Sequence, residues 1–337
     1  MDIFKKTPLC TVIIALCILL ACGFLTANLT ALAENSTSPK SLYGNIPPIA
    51  ENLEFFTFRD VPLTEKFSAT DPDGDPVTFE ITSPPKKGEA AAAPDGVFMY
   101  SPKAGFKGSD SFSYVAVDTS GNVSSEATVR IFVKKRLTKT VYADMDGHSA
   151  AYAALSLCEN GIFTGEMLGN EYFFRPDQPV TRGEFLAMCL NAGGSDTLTG
   201  VTRTGFYDDE RIPMWVKPYV STALMSGIIS GSRSLDGRIV FNSDTPVTFS
   251  EAAVMLNNTL GITDVVSVAV IETDPDTPVW AYTAAANLNA CRIISDEVTD
   301  IYTRQVTRAD AAKMLLASSD LFAARAGGKS LLGWANS

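Results

Sequence analysis

A short segment recurs three times in the second half of the chain, and this repetition constrains the fold more than any other feature. The copies begin 66 and 65 residues apart and read Gly-Ile-Phe-Thr-Gly at 161–165, Gly-Ile-Ile-Ser-Gly at 227–231 and Arg-Ile-Ile-Ser-Asp at 292–296. A second segment follows each copy, with spacings of 67 and 59 residues, at 181–184, 248–251 and 307–310. The sequence therefore contains three copies of one structural unit.

Each unit is predicted to hold two helices joined by a loop. The first helix is rich in alanine and is expected at 150–159, 216–226 and 281–290. Gly161 and Gly227 follow the first two of these helices, where a left-handed C-cap favours glycine. The second helix of the first unit begins with a capping box, Thr181 with Glu184, and the second unit repeats this box at 248–251. Apolar residues then follow at helical spacing.

The first half of the chain has a different periodicity. Large apolar residues alternate with small or polar ones in three segments, at 77–81, 111–117 and 127–133. A period of two is typical of strands with one buried face. Turn sequences such as Pro-Asp-Gly-Asp at 72–75 separate these segments. We therefore predict an all-β antiparallel sandwich over residues 45–134.

The N-terminus carries a segment typical of export. Two lysines precede an apolar run, and Ala-Leu-Ala at 31–33 supplies the small residues that a signal peptidase requires. We predict a signal peptide at 1–33 and a linker at 34–44, which leaves a secreted chain without a membrane segment. An uncleaved anchor and lipoprotein processing at Cys22 are the alternatives.

The composition excludes several classes of function. The chain has 38 acidic and 27 basic residues, a net charge of −11, so nucleic acid is not an expected partner. His148 is the only histidine, which excludes a multi-histidine zinc site. After export the chain keeps Cys158, Cys189 and Cys291, whose wide spacing favours buried apolar residues over a disulfide framework.

Two motifs in the sandwich segment carry a family resemblance. They are Ala-Thr-Asp-Pro-Asp-Gly-Asp-Pro at 69–76 and Gly-Phe-Lys-Gly-Ser-Asp-Ser-Phe-Ser-Tyr at 105–114, with shorter matches between them. Together these motifs resemble bacterial cadherin-like, immunoglobulin-like repeats. The resemblance implies a stalk or adhesion module.

Asp71, Asp73 and Asp75 are candidate calcium ligands, because three carboxylates on one turn can converge on a hard cation. The alternative is a polar turn without metal, and no other cofactor is expected.

The repeated unit resembles the S-layer homology domain, through Thr-Arg-x-Glu at 181–184 and the upstream glycine motif at 161–165. The resemblance implies a mostly α-helical, three-pronged spindle around a central bundle. It also implies non-covalent anchoring to secondary cell-wall polysaccharide, which often carries a pyruvate ketal. The units are predicted at 141–192, 205–262 and 272–318, the third being degenerate, followed by a tail at 319–337.

The same resemblance implies which residues face the polysaccharide. They are the motif arginine, the tryptophan that opens the first helix and a glycine of the repeated segment, here Arg182, Arg308, Trp215, Trp280, Gly165 and Gly231. An arginine fork pairs with a carboxylate through two hydrogen bonds, and an indole face stacks on a sugar ring.

No unit keeps the whole set of these residues. Ser149 replaces the tryptophan of the first unit, Phe249 the arginine of the second, and Asp296 the glycine of the third. Grooves between neighbouring units would still allow complete sets to form. In the alternative interpretation the arginines only bridge to acidic helix starts and the tryptophans only fill the core.

These features predict a secreted protein anchored to the cell wall of a Gram-positive-type bacterium. We expect it not to be an enzyme, because both halves are assigned to non-catalytic modules. The expected partners are secondary cell-wall polysaccharide, other surface proteins and S-layer subunits. One alternative is a carbohydrate-acting wall hydrolase with paired carboxylates. The other is an S-layer assembly or scaffold protein that binds no glycan.

Overall fold

A computed structural model describes residues 45–262, 278–294 and 303–326 of the chain. The predicted signal peptide, the linker at 34–44, Asp296 and residues 327–337 of the predicted tail lie outside the described residues. None of the helices in the described ranges is long and apolar enough to cross a membrane.

The N-terminal region is a β-sandwich. Its strands are β1 (Ile49–Ala50), β2 (Leu53–Phe58), β3 (Leu63–Lys66), β4 (Ala69–Thr70), β5 (Val77–Ser83), β6 (Gly88–Ala92), β7 (Val97–Pro102), β8 (Gly108–Asp118) and β9 (Ala127–Lys134). One sheet has the order β2-β9-β8-β5, the other has the order β3-β7-β6, and β1 pairs with β4. Phe98, Tyr100 and Tyr114 are fully buried between the sheets.

The three strands predicted from alternating residues are confirmed as β5, β8 and β9. The prediction of a fully antiparallel sandwich is wrong at one place, because β2 and β9 pair in parallel. These two strands lie at opposite ends of the domain sequence, so no hairpin joins them and no turn imposes an antiparallel direction.

The helical region follows the sandwich. Its described helices are α1 (Ala151–Glu159), α2 (Arg182–Ala192), α3 (Lys217–Met225), α4 (Phe249–Leu260), α5 (Tyr282–Ala290) and α6 (Arg308–Ala326). The last helix continues beyond position 318, where the third unit was predicted to end. Two short hairpins that the sequence did not predict are β10 (Glu166–Leu168) with β11 (Glu171–Phe173) and β12 (Ser232–Arg233) with β13 (Ile239–Val240).

The predicted helix ends are confirmed at atomic detail. Thr181 and Glu184 form a reciprocal capping box, and the second unit forms the same box at 248–251. Gly161 and Gly227 have φ angles of +67° and +71°, as a left-handed C-cap requires. Arg292 takes the same position in the third unit with a φ of +55°, although it carries a side chain.

A closed ring of backbone hydrogen bonds joins the three units. The amide of Val180 donates to the carbonyl of Val306, Val306 donates to Val247, and Val247 donates to Val180, each at 2.9 Å. All three valines are buried. Because each unit both donates to one neighbour and accepts from the other, the three units are arranged cyclically around this ring.

The helices follow the same cyclic order. The second helices of the units, α2, α4 and α6, pack on one another at the centre. Each first helix packs on the second helix of the preceding unit, so that α3 lies on α2, α5 lies on α4, and α1 closes the circle on α6. Every boundary between neighbouring units is therefore built from residues distant in sequence.

Candidate functional site

Three of the predicted site residues meet in one groove, which we call groove A. It measures about 510 Å³ and is lined by Arg182 at the start of α2, Gly231 before β12 and Trp280 before α5. The first, second and third units each contribute one of these residues. Residue types that no single unit keeps together therefore occur side by side between units.

Arg182 is buried at the base of groove A and bridges to the second unit. Its Nη1 atom lies 2.7 Å from Oε1 of Glu251, and its Nε atom donates to the carbonyl of Phe241 at 3.0 Å. The guanidinium also lies 5.3 Å from the centre of the Phe241 ring. Within the described residues, Nη2 has no hydrogen-bond partner. Nε and Nη1 are therefore used inside the protein, and the donors of Nη2 remain for a ligand.

Gly231 has no room for a side chain. Its φ is +75°, and a Cβ atom there would lie 2.4 Å from the Phe206 ring and 2.8 Å from the carbonyl oxygen of Val240. Gly165 of the first unit has a φ of +74°, and its Cβ would lie 2.6 Å from the carbonyl oxygen of Phe173. Both glycines are required where the backbone approaches the adjacent hairpin, and this requirement is structural.

The two tryptophans are not core residues. Trp280 is 61% exposed and Trp215 is 55% exposed. This exposure argues against the interpretation that they only fill the interior, because a core indole would be largely inaccessible. In groove A, the ring of Trp280 therefore adds an accessible apolar surface to the charged base formed by Arg182.

Arg308 binds the equivalent phenylalanine carbonyl at the boundary between the third and first units, but a different acidic residue. Its Nη1 atom donates to the carbonyl of Phe174 at 3.2 Å, and its Nη2 atom lies 2.8 Å from Glu166, the residue after Gly165. The structure thus brings Arg308 beside the residue that follows Gly165, although the two are far apart in sequence. Among the described residues, no hydrogen bond or ring contact joins Trp215 to this pair.

A second groove, groove B, lies between the second and third units and has lost these residue types. It measures about 470 Å³, and its lining includes Phe249, Ser149 and Arg292. The guanidinium of Arg304 lies 4.8 Å from the centre of the Phe249 ring and forms two hydrogen bonds to Asp310, at 3.1 and 3.2 Å. At groove B the guanidinium that packs on an aromatic ring therefore comes from position 304, whereas at groove A it comes from Arg182.

Two aspartates that the sequence analysis did not single out support the arginines. Asp208 accepts hydrogen bonds from the amides of Phe241 and Asn242, at 2.9 and 2.8 Å. Asp144 accepts from the amides of Phe174 and Arg175 in the first unit, at 2.9 and 2.7 Å. These phenylalanines carry the carbonyls that bind Arg182 and Arg308. An aromatic residue two positions before each aspartate was the available sequence signal.

The residues of the predicted calcium site lie on one turn, where two of the carboxylates accept backbone amides. Oδ1 of Asp71 accepts the amides of Asp73 and Asp75, at 2.9 and 3.1 Å, and Oδ2 of Asp73 accepts the amide of Ile46. Within the described part of the chain, Oδ2 of Asp71 is buried without a hydrogen-bond partner, and no three acidic, histidine or cysteine side chains are grouped so that they could hold a metal ion. The amide contacts favour the polar-turn alternative, and calcium binding stays a prediction.

The remaining residues noted from the sequence have structural positions. Nδ1 of His148 accepts the amide of Ala150 at the start of α1, at 3.0 Å. Burial, and then the charge of Lys313, lower the pKa of His148. Cys189 is buried, whereas Cys158 and Cys291 are half-buried, and burial raises the pKa of the Cys189 thiol.

Comparison with known proteins identifies two domains. A model of the bacterial Ig domain matches residues 45–132, and a model of the S-layer homology domain matches residues 141–186. A surface-layer 125 kDa protein of Lysinibacillus sphaericus is 29% identical over 122 residues, which is 36% of this chain and 10% of the relative. The chain therefore spans about a tenth of the length of this curated relative.

Two solved structures are also similar to part of the chain. Fibronectin(III)-like modules of CbhA from Clostridium thermocellum are 25% identical and cover 29% of this chain and 52% of theirs, with a TM-score of 0.20. The SrpA adhesin of Streptococcus sanguinis is 21% identical and covers 29% of this chain and 64% of its own, with a TM-score of 0.22. At these TM-scores neither likeness carries an argument.

The sequence resemblances are thus confirmed for the sandwich and for the first helical unit. The two matched domains are non-enzymatic in kind, and together with the surface-layer relative they indicate a cell-surface or cell-wall location. The chain carries a bacterial Ig domain followed by an S-layer homology domain.

Proposed function

We propose that this protein is secreted and anchors itself non-covalently to the cell wall by binding secondary cell-wall polysaccharide through its helical region. In this proposal the three units form one S-layer homology spindle, and the Ig domain serves for adhesion or as a spacer above the wall. The second and third units are assigned to the spindle because their helices and hydrogen bonds are equivalent to those of the first.

The observation that carries the proposal is the convergence of Arg182, Gly231 and Trp280 in groove A. The three residues come from three different units, and the family resemblance had implied all three as ligand-facing. An accessible indole beside a buried arginine suits a sugar that carries a carboxylate, since the ring stacks on the apolar face and the Nη2 donors of Arg182 bind the acid.

The charge of the protein determines how such a ligand is recognised. The chain has a net charge of −11, so it repels an anionic polymer at long range. Screening at physiological ionic strength acts over about 8 Å, which allows the local charge of Arg182 to operate at contact distance. We therefore propose a pyruvylated polymer as the ligand, held by contacts within the groove.

Trp280 offers the cleanest test, because its side chain is exposed and its replacement should leave the fold intact. We expect Trp280→Ala to weaken binding to purified cell walls about tenfold, equal to roughly 1.4 kcal/mol. Leu235→Ala, at a fully exposed position outside groove A, is the matched control and should bind as the unaltered protein does. Undiminished binding by Trp280→Ala would refute the assignment of groove A.

A second measurement separates this proposal from a scaffold that binds no glycan. The unaltered protein is added to walls before and after chemical removal of the pyruvylated polymer. We expect binding to be lost with the polymer. Retention on the stripped walls would favour assembly through protein contacts.

A further inference from the structure

We propose that the chain's own Ig domain docks at groove B. Glu65 of β3 then occupies the position where groove A would hold a ligand. Glu65 lines groove B together with Ser149 of the first unit and Lys313 of the third. This inference goes beyond wall binding and does not depend on it, because it concerns how the two parts of the chain are joined.

The two grooves are equivalent in construction. Asp310, Lys313 and Met314 on α6 line groove B as Glu251, Val254 and Met255 on α4 line groove A. At the positions of Arg182 and Trp280, groove B has Phe249 and Ser149. The replacement of tryptophan by serine removes the large side chain that would otherwise stand at the mouth of groove B.

The sandwich contacts the helical region directly beside this mouth. Thr64 is the residue before Glu65, and its hydroxyl donates to the carbonyl of Gly147 at 3.0 Å. The rings of Phe58 and Tyr152 lie 4.9 Å apart, and Phe58 belongs to the same buried cluster as the helical core. Apolar packing therefore continues from the sandwich into the first unit.

Lys134 strengthens the junction at the end of β9. Its Nζ atom lies 4.5 Å from the centre of the Phe56 ring and donates to the Tyr152 hydroxyl at 3.2 Å. A cation over an aromatic ring and a hydrogen bond to α1 restrict rotation at the point where the two domains connect. Polar and apolar contacts thus join the two domains.

Cationic side chains surround Glu65 in groove B, but burial has the larger effect on its carboxyl group. Lys313 faces it from α6, Arg292 and Arg304 line the same groove, and Arg304 is paired with Asp310. Burial raises the pKa of Glu65 to about 7, and the charge of Lys313 partly opposes this rise. The protonated form of Glu65 is therefore favoured in the docked state. Docking is strongest below about pH 4.5 and weakens as pH rises through about 7.

A large side chain at the mouth of groove B tests whether the Ig domain docks there. We expect Ser149→Trp to displace the Ig domain, so that the exported chain unfolds in two calorimetric transitions instead of one and its radius of gyration increases. Trp280→Ser, the reciprocal change in groove A, is the control and should keep one transition and the original radius. A single transition and an unchanged radius for Ser149→Trp would overturn the proposal. If Trp280→Ser loses wall binding but keeps one transition, the result bears on the proposed wall binding and not on the docking of the Ig domain.

A second pair of variants keeps the test valid if Ser149→Trp does not fold. Glu65→Lys should separate the transitions by repulsion from Lys313. Glu65→Gln should make the coupling between the domains independent of pH, whereas the unaltered chain loses coupling as pH rises through about 7. An identical pH dependence in the unaltered chain and in Glu65→Gln would contradict the role of Glu65, since His148 and the other titratable groups are unchanged.

Discussion

Grooves A and B have the same backbone construction but opposite chemical character. In groove A a buried arginine and an exposed tryptophan leave space beside a small glycine, whereas in groove B phenylalanine and serine stand at two of these positions and Arg292 carries a side chain at a left-handed position. The comparison shows that the ring of valines and the helix packing maintain the shape of a groove. Few positions then decide what the groove accepts.

The largest effect should follow from a side chain at the glycine of groove A. Gly231→Ala introduces a methyl group at a φ of +75° that collides with Phe206 and with the Val240 carbonyl. We expect a loss of roughly 2–4 kcal/mol in the free energy of unfolding, measured in urea. Gly227→Ala, with an equally positive φ but nothing within 4 Å, is the control and should lose about 1 kcal/mol. Equal losses would show that the close contact at Gly231 does not matter.

An intermediate effect should distinguish the arginines of the two grooves. The side chain of Arg182 is 10% exposed and that of Arg304 is 46% exposed. We expect Arg182→Ala to cost roughly 2 kcal/mol, because Glu251 and the Phe241 carbonyl lose their partner. Arg304→Ala should cost less than about 1 kcal/mol, since its ion pair is exposed to solvent. The reverse order in thermal unfolding would contradict this comparison.

The smallest effect should come from making the third unit more like the first two. Arg292→Gly removes the steric cost of a side chain at a φ of +55°, and we expect it to stabilise the fold by about 1 kcal/mol. Arg292→Ala keeps the unfavourable backbone while removing the long side chain, so it should bring no gain. Similar melting temperatures for both variants would show that the change in stability comes from losing the long side chain of Arg292 and not from relief of the backbone.

Local patterns in the sequence predicted the elements of this fold well. Period-two alternation located β5, β8 and β9, and the capping boxes located the starts of α2 and α4, because both signals depend on residues a few positions apart. The hairpin β12–β13 was missed, since its strands are only two residues long and carry no resolvable periodicity.

The arrangement between units could not be predicted in the same way. The contact of Arg308 with Glu166 and the hydrogen bond between Val180 and Val306 join residues on different units, and no local pattern specifies such pairs. Family resemblance identified Arg182 and Trp280 as a set, but their exposure depends on how the units pack. The spacing of the carboxylates at 71–75 did not reveal that Asp71 accepts two nearby backbone amides, and calcium binding there stays a prediction.

The ring of valines also has a consequence for how the chain reaches this structure. A linear array of repeats can fold outward from any repeat, because each one contacts only its neighbours along the sequence. Here the amide of Val180 is bonded to the carbonyl of Val306, so the first unit lacks one of its bonds until the last has been synthesised. We therefore expect closure of the ring to be a late event, because it joins residues far apart in sequence, and we expect the helical region to fold as one cooperative body.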